Sequence, residues 1–399
     1  MLHPYLTNHL PGIGGTIKES PDDFVVEEIL SYLPCGSGEH CFLTVEKRGI
    51  TTLEAIRRIA VALKIPERNI GYAGMKDAVG VTRQTISVQS IAPEKVMGFE
   101  LEGVRILSSC RHTNKLKLGH LKGNRFRIAI RDLSDGSETV ISSVLDILRK
   151  RGVPNYFGLQ RYGAQGNSHL IGAAMLQRDW KGVVDALIGQ PAQVKNKDWS
   201  AAIDAYRRGD VNRALQLFPR HCRVEREVLQ RLASRTGEYE KAGYAINPSL
   251  KKLYLSAVQS CLFDQVVDRR IEHIDELMTG DLACKHVNGA CFLVENAETE
   301  MERAGSFEIS ASGPIFGFRM KQPLGIPLEM ESEILNSVQI GLNDFDLPGG
   351  LRMEGERRPL RVPLICPSFR LQGNCLRLEF ALPKGSYATS VLREIMKSS

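Results

Sequence analysis

The 399-residue sequence contains no apolar run that approaches the roughly 18–20 residues of a membrane span. Its first residues, Met1 to Tyr5, show no basic region followed by an apolar core, so we expect no signal peptide and a cytoplasmic protein. The nine cysteines include no Cys-x-x-Cys pair and no spacing typical of zinc ligands. We therefore expect reduced thiols, the default in a cytosolic protein, and no metal.

Acidic residues are absent from a stretch of the chain that is rich in basic ones. No Asp or Glu occurs between Gly103 and Arg131, although the net charge of the whole chain is only +6. The basic residues of this stretch are Arg105, Arg111, Lys115, Lys117, Lys122, Arg125, Arg127 and Arg131. A charge run is usually a solvated face, but one without interleaved acids is more typical of a surface that binds a polyanion such as a nucleic acid.

Length and composition indicate a globular protein of two domains. Hydrophobic residues make up 43% of the chain and charged residues 25%, which is typical of soluble domains. A chain of 399 residues exceeds the roughly 250–300 residues at which single cores stop growing. From about residue 163 the pattern is mostly helical, whereas the residues before it alternate between extended and helical segments.

A glycine-rich loop, Gly71 to Gly80, precedes a strand in which Ile86 and Val88 alternate with polar residues. Glycine allows the backbone to approach a ligand closely, and Asp77 lies within this loop. A Lys-Asp pair in such a loop more often only stabilises the turn and has no role in an active site. The loop does not match Gly-x-x-x-x-Gly-Lys-[Ser/Thr], so it is not a nucleotide phosphate cradle.

The segment from Lys122 to Arg131 predicts a strand with two different faces. Asn124, Phe126 and Ile128 fall on one face, and arginines fall on the other. Core packing is the usual role of a residue placed like Phe126.

Two helices are predicted in the first half of the chain. The first begins with a capping box formed by Thr51 and Glu54, and a second covers residues 138–151. The inward face of the first helix is predicted to contain Leu53, Ile56, Ile59, Ala60 and Leu63.

Five stretches, taken in order along the chain, resemble the motifs of the TruD family of pseudouridine synthases. They contain Lys18 with Pro21–Glu28, Ala73–Asp77 with Thr82 and Gln84, Leu121–Phe126, Pro154–Gly163, and Phe380–Thr389. One such motif could arise by chance, whereas five in order cover nearly the whole chain. The sequence is therefore identified as a member of this family.

The resemblance implies an α+β fold with two parts. Residues 1–159 and 353–399 would form a pseudouridine synthase catalytic domain with a mainly antiparallel sheet flanked by helices. Residues 160–352 would form a largely helical α/β insertion domain.

The resemblance also implies roles for individual residues. Asp77 would be the catalytic carboxylate, acting on C1′ or C6 of uridine or through a glycal intermediate. Lys18 would be the cation that keeps this carboxylate ionised against desolvation, and Lys76 would contact phosphates; the reverse assignment stays open.

Three further residues would surround the uracil. Phe126 would stack on the flipped base, so its removal is expected to lower the rate more than the stability. Asn124 would bind Asp77 or the base, and Phe24 would form a wall of the cleft.

The function implied by the resemblance is isomerisation of uridine to pseudouridine in tRNA, at position 13 of the D-arm. No cofactor or metal is needed for that reaction, and we expect a monomer. Two alternatives are a catalytically idle RNA-binding protein on the same fold and a hydrolase that pairs Asp77 with a second acid. Glu27 and Glu28 are weak candidates for that second acid. An idle RNA-binding protein would need only the basic residues that contact RNA.

Overall fold

A computed structural model of the protein describes residues 3–76, 78–96, 100–134, 136–163, 165–235 and 237–397. The chain forms two compact units. The sheet unit contains Tyr5–Val153 with Val362–Ser399, and the helical unit contains Met1–Pro4 with Pro154–Arg361. The assignment of catalytic and insertion domains to residues 1–159 with 353–399 and to residues 160–352 stays a prediction.

Both units are built from helices and strands, which we number along the described chain. The strands are β1 Gly14–Ile17, β2 Phe24–Leu30, β3 His40–Arg48, β4 Ile70–Tyr72, β5 Val81–Gln89, β6 Glu100–Leu101, β7 Val104–His112, β8 Leu121–Leu133, β9 Val153–Pro154, β10 Leu282–Lys285, β11 Cys291–Leu293, β12 Ile309–Ile315, β13 Glu356–Pro359, β14 Arg361–Val362, β15 Ile365–Gln372 and β16 Cys375–Pro383. The helices are α1 Thr52–Leu63, α2 Ser137–Arg151, α3 Ser168–Leu176, α4 Trp180–Ile188, α5 Lys197–Arg207, α6 Val211–Leu217, α7 Arg223–Ser234, α8 Tyr239–Gly243, α9 Pro248–Arg270, α10 Ala297–Gly305, α11 Ile326–Ser337 and α12 Ala388–Met396. Within the described ranges, no helix is long and apolar enough to cross a membrane.

The sheet unit is organised around one large, mainly antiparallel sheet. Its strands run in the order β15-β16-β8-β2-β5-β3-β7-β6, with β1 paired to β8 and β4 paired to β5. The pairing of β2 with β5 is parallel, whereas β8 is antiparallel to both of its long neighbours, β16 and β2. The strand β8 therefore lies between two long strands, and its apolar residues Ile128 and Ile130 are buried, as the alternation of its sequence predicts.

Helix α1 packs on this sheet through Ile56, Ile59 and Ala60, which join a core formed with β3, β5 and β7. The Thr51 hydroxyl accepts the Glu54 N–H, so this half of the predicted capping box is present. The predicted inward position of Leu53 is wrong, because its side chain is 54% exposed. Each residue turns an α-helix by about 100°, and this places Leu53 at the margin of the buried stripe.

Helix α9, with 23 residues, is the centre of the helical unit. It packs against α3, α11 and β12, and most of its side chains are buried. The four-stranded sheet of this unit has the order β11-β10-β12-β13 and is antiparallel throughout.

A disulfide in the helical unit departs from the expectation of reduced thiols. Cys284 and Cys291 are register partners on β10 and β11, and their sulfurs are bonded. The other seven cysteines form no disulfide. The expectation is wrong for this pair because the antiparallel register brings together two residues whose spacing along the chain matches no disulfide or metal motif.

Motif residues between positions 160 and 163 hold α9 in place. The Tyr162 hydroxyl donates to Asp264 at 2.6 Å, and the Arg161 guanidinium donates to Ser260 at 3.2 Å. Burial raises the pKa of Asp264 to about 6, against the lowering effect of the Tyr162 hydrogen bond. These contacts give the two motif residues a structural role inside the helical unit.

Candidate active site

The backbone immediately before Asp77 is held by side chains from two elements of the sheet unit, one of which is supported by a third element. Asp77 itself lies outside the described residues. The Lys76 N–H donates to the Thr52 hydroxyl at 2.9 Å, and the Lys76 carbonyl accepts from the Lys47 ammonium at 3.4 Å. The Thr52 hydroxyl donates in turn to Gln84 Oε1 at 3.0 Å. The first residue of α1 and side chains of β3 and β5 therefore fix the chain that leads to Asp77.

Lys76 forms a buried ion pair with Glu28. Their Nζ and Oε2 atoms are 2.9 Å apart, and the side chains are only 6% and 1% exposed. Glu28 Oε1 also accepts the Thr85 N–H at 3.4 Å. Because the ammonium is directed into the protein toward Glu28, it is not presented to an RNA phosphate in this arrangement.

Replacing Glu28 with Gln is expected to destabilise the protein by about 3 kcal/mol, because it leaves the Lys76 ammonium buried without a counter-charge. The double variant Glu28→Leu with Lys76→Met should recover much of this loss, since both charges are then removed. Urea unfolding of the three proteins measures the effect.

The control for this prediction is Glu379→Gln, which breaks the surface pair that Glu379 forms with Arg125 at 4.0 Å. Its cost is expected to stay below about 1 kcal/mol. Equal costs for the buried and surface variants would contradict the importance of the buried pair.

One face of the sheet collects the candidate residues of three adjacent strands. In the register of β2 with β8, Asn124 lies opposite Glu28 and Phe126 lies opposite Val26. In the register of β2 with β5, Val26 aligns with Thr82. Directly paired residues point to the same face of a sheet, and every second residue returns to it. Asn124, Phe126, Glu28 and Thr82 therefore share one surface.

This face carries buried polar atoms that lack a hydrogen-bond partner among the described residues. They are Asn124 Oδ1, Thr82 Oγ1 and Gln84 Nε2. Thr82 is fully buried and Gln84 nearly so. Buried polar atoms in native proteins are nearly always paired, and unpaired ones concentrated at one place are typical of a functional site. These atoms are available to hydrogen-bond a group that the described residues do not supply, such as a water molecule or a ligand.

Lys18, Phe24 and Phe126 form a second connected group. The Lys18 ammonium lies 4.3 Å from the centroid of the Phe24 ring, within the range of a cation–π contact. The Phe24 and Phe126 rings meet edge to face, with centroids 6.5 Å apart. Lys18 has a φ of +64°, an uncommon backbone conformation for a residue other than glycine. The structure thus brings three of the predicted site residues together.

The turn that carries Lys18 and Phe24 is fastened to β8 by Asp23. The Asp23 carboxylate accepts the Ser20 N–H at 2.9 Å and an Arg131 N–H at 2.7 Å. The hydrogen bond from Arg131, and to a smaller extent that from Ser20, lowers the pKa of Asp23 from its ordinary value. An ionised Asp23 therefore holds the start of β2 in a fixed place.

Phe126 is more deeply buried than its proposed stacking role led us to expect. The side chain is 6% exposed, and its ring lies 5.3 Å from that of Phe380 on β16. We therefore expect that its removal also lowers the stability, because the ring fills space between Phe24 and Phe380 in the free protein. Its stacking on uracil stays a prediction.

The acid-free stretch contributes exposed cations to the sheet unit. Within the described ranges, no carboxylate lies within salt-bridge distance of Lys117, Lys122 or Arg127, and all three are exposed. Arg131, by contrast, is engaged by Asp23, and Arg125 approaches Glu379. The stretch thus combines one structural arginine, Arg131, with exposed surface cations.

Sequence reasoning missed the supporting roles of Lys47, Thr52 and Glu28. Glu28 lies inside the first family-like motif, where the sequence suggests only a weak candidate for a second acid. Thr52 directly follows the capping residue Thr51, so the sequence explains it as part of the start of a helix and gives no sign of a second role. No local signal marks Lys47, whose burial beside the loop depends on the pairing of β3 with β5.

Metal ligation receives no support from the described side chains. In these ranges, no group of three or more His, Cys, Asp or Glu residues is arranged to hold a metal ion.

Comparisons with known proteins identify the class of enzyme. A family model described as tRNA pseudouridine synthase D (TruD) matches residues 2–395. A tRNA pseudouridine synthase D from Geotalea daltonii is 59% identical over 397 residues, with 100% of each chain covered. One from a strain of Thermus thermophilus is 36% identical over 398 residues, covering 99% of this chain and 92% of the relative.

The fold agrees with a solved structure. A crystal structure from Methanosarcina mazei, of a protein assigned to tRNA pseudouridine synthase D (TruD), matches with a TM-score of 0.86 and 25% identity, covering 100% of this chain and 97% of that one. The predicted α+β fold is confirmed. Fold and sequence together define the class, so the protein is a pseudouridine synthase and therefore an isomerase. Within that class, the chain belongs to the TruD family.

Proposed function

We propose that the protein converts uridine to pseudouridine in tRNA, at position 13 of the D-arm, with Asp77 as the catalytic carboxylate. The observation that carries this proposal is the shared face of β2, β5 and β8. That face carries the buried unpaired Asn124 Oδ1, and the backbone of Lys76, the residue before Asp77, is anchored by Thr52. Family membership over residues 2–395 supports tRNA as the substrate.

The reaction is an isomerisation that needs no other reactant. The bond from C1′ to N1 of uracil breaks, and a bond from C1′ to C5 forms. The proton of C5 is released to solvent, and N1 gains one. The Asp77 carboxylate assists these steps at C1′ or C6, while the base is held outside its stack.

Lys18 is the better candidate for the cation that acts with Asp77. The Lys76 ammonium is neutralised by Glu28 at 2.9 Å. Lys18, in contrast, lies over the Phe24 ring and forms no ion pair with a carboxylate of the described residues, so its charge is not neutralised there. A cation beside a partly desolvated carboxylate favours its ionised form.

Asn124 and Phe126 would complete the pocket. Asn124 Oδ1, which has no partner within the described ranges, would accept the N3–H of the uracil edge. A hydrogen bond to the catalytic carboxylate would instead be donated by the Asn124 Nδ2 group. Phe126 lies two residues further along the same face of β8, where one side of the flipped base would meet its ring.

Tritium release tests the proposed function. A tRNA transcript containing uridine tritiated at C5 should lose tritium in the presence of the protein, and mapping of the product should locate the pseudouridine at position 13. Pseudouridine at another position would correct the site. Tight RNA binding without tritium release would favour the idle RNA-binding alternative.

Salt dependence tests the basic stretch. Replacing Lys117 and Lys122 with Gln should reduce the slope of log affinity against log salt by about 0.7–0.9 for each phosphate that is no longer neutralised. Filter binding at several salt concentrations measures the slope. Lys150→Gln, an exposed change on α2 outside the stretch, serves as the control and should leave the slope unchanged. An unchanged slope in the double variant would show that the two lysines do not meet RNA.

A further inference from the structure

Leu118 is a strongly exposed apolar residue on a loop that is anchored on both sides by buried leucines. The loop, residues 113–120, connects β7 to β8. Leu116 and Leu121 are 1% and 8% exposed and join a small core with Phe42 and Ala73. Leu118 lies between these two anchors and is 69% exposed. The packing that buries Leu116 and Leu121 therefore leaves the side chain of Leu118 in solvent.

The loop is fastened to the segment that leads to Asp77. The Gly119 N–H donates to the Ala73 carbonyl at 2.8 Å, and the Leu116 N–H donates to the Ser87 hydroxyl at 2.9 Å. The Tyr32 hydroxyl and His120 Nδ1 are hydrogen-bonded at 2.8 Å. Ala73 precedes Asp77 by only four residues. Leu118 is thus held next to the glycine-rich loop by a bond from its own neighbour.

Cations surround this exposed leucine. Lys117 and Lys122 are exposed on either side of it in sequence, and the Lys384 ammonium donates to the Gly119 carbonyl at 3.1 Å. No acidic residue occurs between Gly103 and Arg131. A single apolar side chain among cations suits a nucleic acid, whose phosphates meet the lysines and whose stacked bases accept an apolar side chain.

We propose that Leu118 is a wedge that enters the base stack of the RNA beside the target uridine and keeps that uridine outside the stack. The proposal rests on the proposed function, because it names the group that stabilises the flipped state. Proteins that unstack bases often insert leucine, isoleucine, methionine or phenylalanine between base steps. Leu118 is in this view a positioning residue, which acts on the RNA and takes no part in bond making.

Kinetics provide the first test. With a tritiated tRNA transcript, Leu118→Ala should lower the single-turnover rate by about 5- to 150-fold, because no apolar side chain then fills the gap at the unstacked base step. RNA affinity should stay within a few fold of wild type, because the lysines remain. Leu118→Met should keep most of the rate, since it preserves an apolar side chain of similar volume. Leu53→Ala on α1 is the matched control for removal of an exposed leucine and should change nothing.

Fluorescence provides a readout that would not change if Leu118 served only to support the fold. The fluorescence of 2-aminopurine placed next to the target uridine should increase when the transcript binds to the Asp77→Asn protein, because the flipped uridine no longer stacks on it. The double variant Asp77→Asn with Leu118→Ala should bind with similar affinity and brighten much less.

The outcomes separate the two proposals. If wild type releases no tritium, the proposed function fails and the wedge falls with it. If wild type is active, a normal rate in Leu118→Ala or full brightening in the double variant overturns the wedge alone. A large drop in Tm for Leu118→Ala would also overturn it, since it would show that the side chain supports the fold.

Discussion

Replacing Asp77 with asparagine is expected to abolish pseudouridine formation while leaving RNA affinity within a few fold of wild type. The substitution keeps the shape of the side chain but removes the charge that the reaction requires at C1′ or C6. Most of the affinity comes from contacts between basic residues and phosphates, which the substitution does not touch. Tritium release under single-turnover conditions measures the rate, and filter binding measures the affinity.

The control for Asp77→Asn is Asp146→Asn, the same chemical change on the exposed face of α2. This variant should be fully active. Appreciable turnover by a purified Asp77→Asn protein, with its sequence verified by mass spectrometry to exclude deamidation, would remove Asp77 from the catalytic role. The anchoring of Lys76 by Thr52 and Lys47 would then be purely structural.

Phe126→Ala is expected to lower both stability and rate. The ring is 6% exposed and lies against Phe24 and Phe380, so its deletion should cost about 3–5 kcal/mol in the free energy of unfolding. If the ring also stacks on the flipped uracil, the rate per folded molecule should fall by about 5- to 150-fold. Urea unfolding and single-turnover assays at low temperature measure the two effects separately.

Phe126→Leu separates packing from stacking. Leucine restores much of the buried volume, so this variant should recover a large part of the stability that Phe126→Ala loses. It cannot present an aromatic face, so its rate should stay low. Phe345→Ala, a fully buried phenylalanine in the helical unit, should lose stability without a change in rate per folded molecule. A normal rate in Phe126→Leu would restrict Phe126 to core packing.

The two lysines of the site differ in their electrostatic surroundings. From the sequence, Lys18 is the expected partner of Asp77 and Lys76 a phosphate contact, with the reverse assignment left open. The structure pairs Lys76 with Glu28 of strand β2. Lys18 keeps its charge free of carboxylates within the described ranges and contacts Phe24. The more distant lysine in sequence is therefore the better candidate to act with the carboxylate.

Local patterns in the sequence determined the elements and the family. The alternation along β8 predicted that Asn124 and Phe126 share a face, and the structure confirms it. The helix predicted over residues 138–151 is present as α2. Such features follow from side-chain periodicity within one segment, which the sequence expresses directly. The ordered motifs that predicted the TruD family are likewise a property of the sequence alone, and the family is confirmed.

Tertiary structure alone decided which side chains these elements pair, bury or expose. The ion pair of Lys76 with Glu28 spans 48 residues of sequence, and the bond of Cys284 to Cys291 depends on a strand register. Leu116 and Leu118 are the same residue type in the same loop, yet one is buried and the other exposed. No local pattern distinguishes them, because burial depends on neighbours that are distant in sequence and that come together only when the sheet forms.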